Sequence, residues 1–229
     1  MDLSETRLET RTDTGPALPS KPLSRQQDLG YAWMKRMLDI VCALSGLILL
    51  SPVFLLVAIA IKLEDPKGSV LFRQVRVGKN GQFFYMYKFR SMVCGAETLL
   101  GGLLAQNEIS GAMFKMKKDP RVTRVGRLIR KLSIDEFPQF YNVLRGDMSM
   151  VGPRPPLPRE VENYSPYEMQ RLSVTPGCTG LWQISGRNAL SFKEMVELDL
   201  TYIEERSMRL DLKIIWSTCW MLLLAKNGF

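Results

Sequence analysis

The chain has 229 residues, of which 46% are hydrophobic, so it has room for one moderate domain and is too apolar for global disorder. It contains no histidine, which excludes histidine general bases, Ser-His-Asp triads and histidine metal sites. The net charge of +8 indicates anionic partners, namely nucleic acid, lipid head groups or phosphorylated substrates. The four cysteines form no Cys-x-x-Cys pair and are expected to be reduced, which leaves oxygen-ligated cations such as Mg²⁺ as the metal chemistry to consider.

The N-terminal residues 1–33 are rich in Ser, Thr, Pro and Arg and show no apolar periodicity. This composition predicts a flexible tail. The stretch does not resemble a signal peptide, because it has no apolar core.

An uncharged apolar run extends from Ile40 to Ile61, and crossing a bilayer core takes about 20 helical residues. One interpretation is a single transmembrane helix. The other is a reentrant hairpin, because Ser51-Pro52 interrupts the run near its middle, where proline breaks the helix and a serine hydroxyl can bond a freed carbonyl. Basic residues flank both ends, and the positive-inside tendency would keep both ends in the cytoplasm. The residues alone leave the two interpretations even.

A β-hairpin is predicted next. The strands Val70–Val77 and Phe83–Arg90 flank a turn that contains Asn-Gly, a strong hairpin signal. Alternation places Lys88 and Arg90 on one face of the second strand. They form either a phosphate clamp or a solvated strand edge, and the local pattern by itself favours the edge.

The most basic segment is Lys115–Lys131, in which Asp119 is the only acidic residue. Thr123 is a good N-cap for a helix that runs through Lys131 and has Arg130 near its end. Such a run is commonly a solvated or lipid-facing surface. Its position directly before an acidic pair favours a phosphate-binding role.

That acidic pair is Asp135-Glu136. Ser133-x-x-Glu136 matches a capping box, which gives Glu136 a structural explanation and leaves Asp135 without one. If the cap forms, both carboxylates lie at the positive end of a helix, and Arg130 and Lys131 are close in sequence, so we expect Asp135 to be ionised. An ionised carboxylate is a competent nucleophile toward phosphorus, and an adjacent glutamate can hold Mg²⁺.

Two later loops carry arginines. Val151–Pro156 reads Val-Gly-Pro-Arg-Pro-Pro and holds Arg154 on a stiff backbone, which suits orienting a guanidinium toward a phosphate. Thr175–Arg187 contains three glycines, Trp182 and Arg187, and would serve either as a binding loop for a ring or diphosphate or as a packed turn.

The last apolar segment, Leu210–Ala225, is interrupted by Asp211 and Lys213 and is short for a membrane span. Its tryptophans, Trp216 and Trp220, favour a membrane interface. An interfacial helix and a buried core helix are both consistent with this pattern.

Several of these stretches together resemble the bacterial sugar transferase family, the monotopic polyprenyl-phosphate phosphoglycosyl transferases that begin exopolysaccharide, capsule, O-antigen or glycoprotein glycan assembly. The resemblance covers about residue 35 to the C terminus and rests on motifs in family order, YKFRSM, RLIRKLSIDEFPQFYNVLRGDMSMVGPRP and PGCTGLWQISGR. It implies the short form of the family, without additional N-terminal helices or a further domain.

The fold that the resemblance implies is a helix-rich α+β monotopic membrane protein. Residues 1–33 are then the tail, residues 34–63 a reentrant membrane hairpin, and residues 64–229 a cytosolic catalytic domain that ends in an interfacial helix. The implied location is the bacterial inner membrane, with the catalytic domain on its cytosolic face.

By position, the resemblance implies that Asp135 is the nucleophile, that Glu136 is its partner near Mg²⁺, and that both carboxylates serve the metal. It also implies that Arg130 binds phosphate and that Ser51-Pro52 is the break of the reentrant hairpin. The complete set of predicted phosphate or substrate binders is Lys88, Arg90, Arg130, Arg154 and Arg187.

The expected reaction transfers sugar-1-phosphate from a UDP-sugar, such as UDP-glucose or UDP-galactose, to polyprenyl (undecaprenyl) phosphate. It proceeds through a phosphosugar-aspartate intermediate and releases UMP. Mg²⁺ is the expected cofactor, and the partners are the two substrates and membrane lipids, without nucleic acid. The sequence leaves open the sugar, the glycan pathway, the role of the tail and the oligomeric state, a homo-oligomer included.

Two rival functions are consistent with parts of the sequence. A membrane-anchored basic adaptor that binds anionic lipid or nucleic acid explains the charge and the apolar run, but not the acidic pair or the Gly-Pro-Arg-Pro loop. An ordinary glycosyltransferase would release UDP instead of UMP.

Overall fold

The computed structural model describes residues 29–96, 98–99, 101–106, 116, 119–186 and 190–224. Within them helices predominate, and the strands form two separate two-stranded sheets, which confirms a helix-rich α+β architecture. The α-helices are α1 (Leu29–Leu49), α2 (Ser51–Glu64), α3 (Arg124–Lys131), α4 (Gln139–Arg145), α5 (Pro158–Val161), α6 (Leu181–Ser185), α7 (Phe192–Glu205) and α8 (Met208–Leu224). The strands are β1 (Leu71–Val77), β2 (Phe83–Phe89), β3 (Ser149–Val151) and β4 (Gly177–Thr179).

The apolar run folds as two helices that bend at Ser51-Pro52, as predicted. Helices α1 and α2 differ in direction by 58°, and Pro52 occupies the first turn of α2, where its missing N–H costs no hydrogen bond. The Ser51 hydroxyl donates to the carbonyl oxygen of Ile48 at 2.8 Å. The serine therefore satisfies a carbonyl at the break, as expected.

Both helices of the bent pair leave large apolar side chains exposed. Val41 and Ile48 on α1 and Leu55 and Leu56 on α2 are 55–67% exposed. In the described part of the chain no single helix has the length and apolar character to cross a membrane, whereas the bent pair together meets that test by length and composition.

The start of α1 is fixed to the rest of the domain by buried polar contacts. Asp39 accepts hydrogen bonds from the Ser149 hydroxyl at 2.9 Å and from the Met150 backbone N–H at 2.8 Å. The Arg36 guanidinium donates to two carbonyls at the C-terminal end of α4, at 2.6 and 2.7 Å. These contacts set the direction of α1 relative to β3 and α4.

Strands β1 and β2 form the predicted antiparallel hairpin, with Leu71 opposite Phe89 and Val77 opposite Phe83. Helix α4 lies against the outer edge of β2, and the fully buried Asn142 makes the hydrogen bonds between them. Its amide accepts from the Tyr87 N–H at 3.0 Å and donates to the Tyr85 carbonyl at 2.7 Å. Because one side chain satisfies both backbone groups, α4 replaces a third strand and holds its preceding turn beside β2.

The main core surrounds the parallel β3–β4 pair and is completed by α7 and α8. On α8, Asp211 and Ile214 are fully buried, whereas Trp216 and Trp220 are 72% and 55% exposed. One face of α8 therefore belongs to the core, whereas the other presents tryptophans outward, and an interfacial position of that second face stays a prediction.

Most of the predicted tail, residues 1–28, lies outside the described residues. Its last five residues, 29–33, belong to α1. The helix thus begins before the predicted boundary at residue 34. All four cysteines are free, as expected.

Candidate active site

The acidic pair is positioned by helix α3 and the sharp turn that follows it. Thr123 caps α3 as predicted, and its hydroxyl accepts from the Gly126 N–H at 2.8 Å. The Glu64 carboxylate at the end of α2 accepts two further N–H groups of the first turn, from Arg124 at 2.7 Å and Val125 at 2.9 Å. The end of the bent helix pair is thus joined directly to the helix that leads into the site.

After α3, Ser133 adopts a left-handed conformation with φ of 55°. The next three residues, Ile134–Glu136, form a single 3-10 turn that carries both acids. The predicted Ser133 capping box is wrong, because a residue with positive φ cannot take the extended N-cap geometry and the Ser133 side chain makes no capping bond. Helix capping therefore does not explain the presence of Glu136.

Glu136 forms an ion pair with Lys88 of β2 instead. Lys88 Nζ donates to Glu136 Oε1 at 2.6 Å, and the two side chains are 23% and 45% exposed. Burial alone would raise the pKa of Glu136, but the charge and hydrogen bond of Lys88, with the charges of Arg154 and Arg76, lower it. Glu136 is therefore a stable anion at neutral pH.

Asp135 is partly buried, and its pKa is raised even though basic residues adjoin it. Burial and the neighbouring charge of Glu136 raise its pKa to about 6, although Lys88 and Arg130 act in the opposite sense. A carboxyl with this pKa is still about nine-tenths ionised at pH 7. The side chain is thus charged but poorly stabilised, which suits a nucleophile.

Arg154 lies on the proline-rich loop after β3, as the sequence indicated. One guanidinium N–H donates to Glu160 Oε2 at 3.1 Å, and the same oxygen accepts from the Leu157 N–H at 2.9 Å. Glu160 is 3% exposed and Arg154 is 28% exposed, so a buried carboxylate orients a guanidinium that still reaches solvent.

Arg76 of β1 is a site residue that sequence reasoning missed. It is buried and donates to the Pro155 carbonyl at 2.9 Å and to Gln74 at 2.7 Å, and its Nε has no hydrogen-bond partner among the described residues. Burial and the nearby charge of Arg154 lower its pKa to about 10. The only sequence signal for Arg76 was its place in β1 beside Val77. Strand alternation alone does not distinguish a buried arginine at this place from a solvent-exposed arginine.

The other predicted phosphate binders have different surroundings. Arg90 is buried in an ion pair with Asp65, at 3.0 Å to Oδ2, and also donates to the Asp65 carbonyl at 2.6 Å. These contacts favour a structural role, and phosphate binding by Arg90 stays a prediction. Arg130 is partly buried and its charge acts on Asp135. Arg187 lies outside the described residues.

The carboxylates present fit an oxygen-ligated divalent cation. Mg²⁺ in phosphoryl-transfer sites is commonly held by one or two carboxylates together with substrate phosphates. Asp135 and the second oxygen of Glu136 offer such a donor pair, because Lys88 engages only Oε1. The described residues contain no cluster of three or more Cys, Asp or Glu side chains, so a cage made only of protein ligands is absent from that part of the chain.

A protein-family model described as bacterial sugar transferase matches residues 30–225, which include the bent helix pair, the acidic pair and the Arg154 loop. The chain belongs to the bacterial sugar transferase family.

Relatives of this bacterial sugar transferase differ in length. Galactosyl transferase CpsE of Streptococcus agalactiae is 50% identical over 195 residues, which cover 85% of this chain and 43% of that protein. Undecaprenyl-phosphate galactose phosphotransferase of Salmonella typhimurium is 43% identical over 201 residues, or 86% of this chain and 42% of that protein. Exopolysaccharide production protein ExoY of Rhizobium meliloti is 38% identical over 224 residues, which cover 96% of this chain and 98% of that protein. The chain therefore spans less than half of the first two relatives and nearly all of the third.

Proposed function

We propose that this chain transfers sugar-1-phosphate from a UDP-sugar to undecaprenyl phosphate and so begins the assembly of an exopolysaccharide or related glycan. The observation that carries the proposal is a charged, poorly stabilised Asp135 beside the Lys88–Glu136 ion pair. Both acids lie on the turn after α3, the helix that Glu64 joins to the end of the bent apolar helix pair. The relative named as an undecaprenyl-phosphate galactose phosphotransferase supports the same reaction class.

In the first step, an Asp135 carboxylate oxygen attacks the phosphorus next to the sugar. A new bond joins phosphorus to Asp135, and the bond from that phosphorus to the oxygen of the UMP phosphate breaks, with the electron pair leaving on UMP. Arg154, oriented by Glu160, and Arg76 supply positive charge for the phosphate oxygens.

In the second step, an oxygen of undecaprenyl phosphate attacks the same phosphorus. The bond to Asp135 breaks, the aspartate regains its carboxylate charge, and undecaprenyl diphospho-sugar is released. The raised pKa of Asp135 favours the first step, because a more basic carboxylate is the better nucleophile. With a pKa of about 6 the carboxylate is still a weak enough base to leave readily in the second step.

Mg²⁺ is the proposed cofactor, with Asp135 and Glu136 as its protein ligands. When bound, the ion would offset negative charge on the diphosphate. Lys88 would hold Glu136 in place through the remaining carboxylate oxygen.

The bent helix pair is the proposed membrane anchor, entering and leaving the cytosolic side of the bacterial inner membrane. The exposed apolar side chains of α1 and α2 and the outward tryptophans of α8 support this arrangement. It would bring a lipid-borne phosphate and a soluble nucleotide sugar to one site, since Glu64 connects α2 to α3.

The test is a panel of UDP-sugars assayed for UMP release by the purified chain, with and without Mg²⁺ and undecaprenyl phosphate. UMP release that requires the lipid phosphate supports the proposal, and the most active donor identifies the sugar. Release of UDP would indicate an ordinary glycosyltransferase. Absence of both nucleotides, combined with binding to anionic vesicles, would favour the adaptor.

A further inference from the structure

A second basic site lies away from the acidic pair. A cavity of about 360 Å³ opens between the first turns of α1, the C-terminal end of α4 and the C-terminal end of α7, and none of its lining residues belongs to the site around Asp135. Five of the lining side chains are basic: Lys35, Arg36, Lys79, Arg145 and Arg206.

Two of these cations are neutralised by carboxylates. Lys35 pairs with the buried Asp211 at 3.1 Å, and Arg145 pairs with Asp147 at 3.2 Å. The one carboxylate that lines the cavity, Asp39, already accepts two hydrogen bonds from β3.

The charges of the other three cations are not compensated. Arg36 donates only to the carbonyls that end α4, which orients the guanidinium without cancelling its charge. Lys79, in the β1–β2 turn, and Arg206, between α7 and α8, are both partly buried, and neither side chain has an ion pair or hydrogen bond with a described residue. Like charges held around one partly desolvated cavity repel each other unless an anion enters.

We infer that this cavity binds a phosphate group, with Lys79, Arg206 and Arg36 as its cationic ligands. Arginine and lysine are the side chains that recognise phosphate oxygens, the one by a planar fork and the other as a point charge. The volume exceeds that of a phosphate ion and leaves room for the polar head that a lipid phosphate carries. Lipid is the source that the surroundings favour, because the same turns of α1 that line the cavity also expose large apolar side chains, among them Trp33 and Met37, and Val41 continues this exposed surface.

The experiment measures ligand-induced thermal stabilisation of the full chain, purified in an uncharged detergent and phosphate-free buffer. The probes are inorganic phosphate, short-chain phosphatidylglycerol and short-chain phosphatidylcholine. The test variant is Lys79→Gln/Arg206→Gln. The matched control is Lys193→Gln/Arg209→Gln, which removes the same two charges from exposed positions on α7 and α8 that do not line the cavity.

Phosphatidylglycerol should raise the unfolding temperature of the wild type and the control by a few degrees, with phosphatidylcholine giving a smaller rise. The test variant should require at least tenfold more phosphatidylglycerol for the same rise. A rise of equal size with inorganic phosphate would identify free phosphate as the ligand, and a rise only with phosphatidylglycerol would identify the lipid.

The inference is overturned if neither phosphate nor phosphatidylglycerol stabilises the wild type, or if the test variant responds as the control does. Should the double variant not fold, Lys79→Gln and Arg206→Gln are titrated singly, and an unchanged midpoint in both overturns it equally. UMP release is not the readout, so failure of the transferase proposal and failure of this one are distinguishable.

Discussion

Lys88 Nζ lies 2.6 Å from Glu136 Oε1, and this ion pair joins strand β2 to the 3-10 turn that carries both acids. The contact holds the turn against the sheet, and its charge opposes the rise that burial causes in the pKa of Asp135. One lysine thus orients Glu136 and limits how basic its neighbour becomes.

Asp135→Asn should abolish UMP release and prevent any phosphosugar adduct, because an amide cannot attack phosphorus. It should also stabilise the protein. The folded-state pKa of Asp135 is raised to about 6, so the ionised form destabilises the fold, and the penalty develops as pH rises from about 4 to above 6. We expect a gain of about 1–3 kcal/mol at pH 7.5 and a smaller gain at pH 5, measured by denaturant unfolding.

The control for that variant is Asp147→Asn, which neutralises a carboxylate paired with the half-exposed Arg145. It should leave activity near the wild-type level. Turnover retained in Asp135→Asn would exclude the covalent scheme.

The rate of UMP release should fall at low pH with an apparent pKa near 6, because the attacking carboxyl must be ionised. In Lys88→Met the acid limb should move to higher pH, since Lys88 lowers the pKa of Asp135. The dependence of kcat/KM on pH between pH 5 and 8 measures the apparent pKa of the wild type and its shift in Lys88→Met. A limb that stays in place in Lys88→Met would show that another group controls it.

Arg154→Lys should lower kcat/KM for the UDP-sugar by about tenfold or more, because lysine lacks the planar fork that Glu160 orients. Arg159→Lys is the matched control, an exposed arginine on the same segment. Equal kinetic constants for the two variants would remove Arg154 from the phosphate-binding set.

Arg171→Met should lower the free energy of unfolding by about 3–5 kcal/mol, because it leaves Asp199 buried without its charge partner. The pair is 2.6 Å apart, and the side chains are 4% and 1% exposed. Chemical denaturation measures the loss, and Arg145→Met, which breaks an exposed pair, should lose less than about 1 kcal/mol. The double change Arg171→Met/Asp199→Leu should recover most of the loss.

Replacing both residues of the break, Ser51→Ala/Pro52→Ala, should straighten α1 and α2 into one helix of about 50 Å, long enough to cross a bilayer. The chain after Glu64 would then reach the opposite side and UMP release would be lost. A single cysteine is introduced at Lys67 in a cysteine-free background, and its labelling by a membrane-impermeant thiol reagent reports on which side of the bilayer this position lies. Pro66→Ala, just beyond α2, is the control. Identical labelling in all variants would show that the bend between α1 and α2 does not depend on Ser51 and Pro52.

Features encoded within a few neighbouring residues were predictable from the sequence. The Asn-Gly turn fixed the β1–β2 hairpin, Thr123 fixed the start of α3, and Ser51-Pro52 fixed the break, because each depends on local backbone geometry and hydrogen bonds. The acidic pair was identified in the same way, as an unusual local pattern beside a basic segment.

Tertiary structure decided which charged groups pair with each other and how their pKa values shift. Glu136 binds Lys88, 48 positions away, instead of Ser133, and Arg90 pairs with Asp65. Asp135 has a raised pKa although basic residues adjoin it, since burial depends on which distant segments cover a side chain. The sequence by itself determined the start of α3, the bend at Ser51-Pro52 and which acids are present. Only folding set their desolvation and charge partners, because these depend on contacts between residues far apart in the chain.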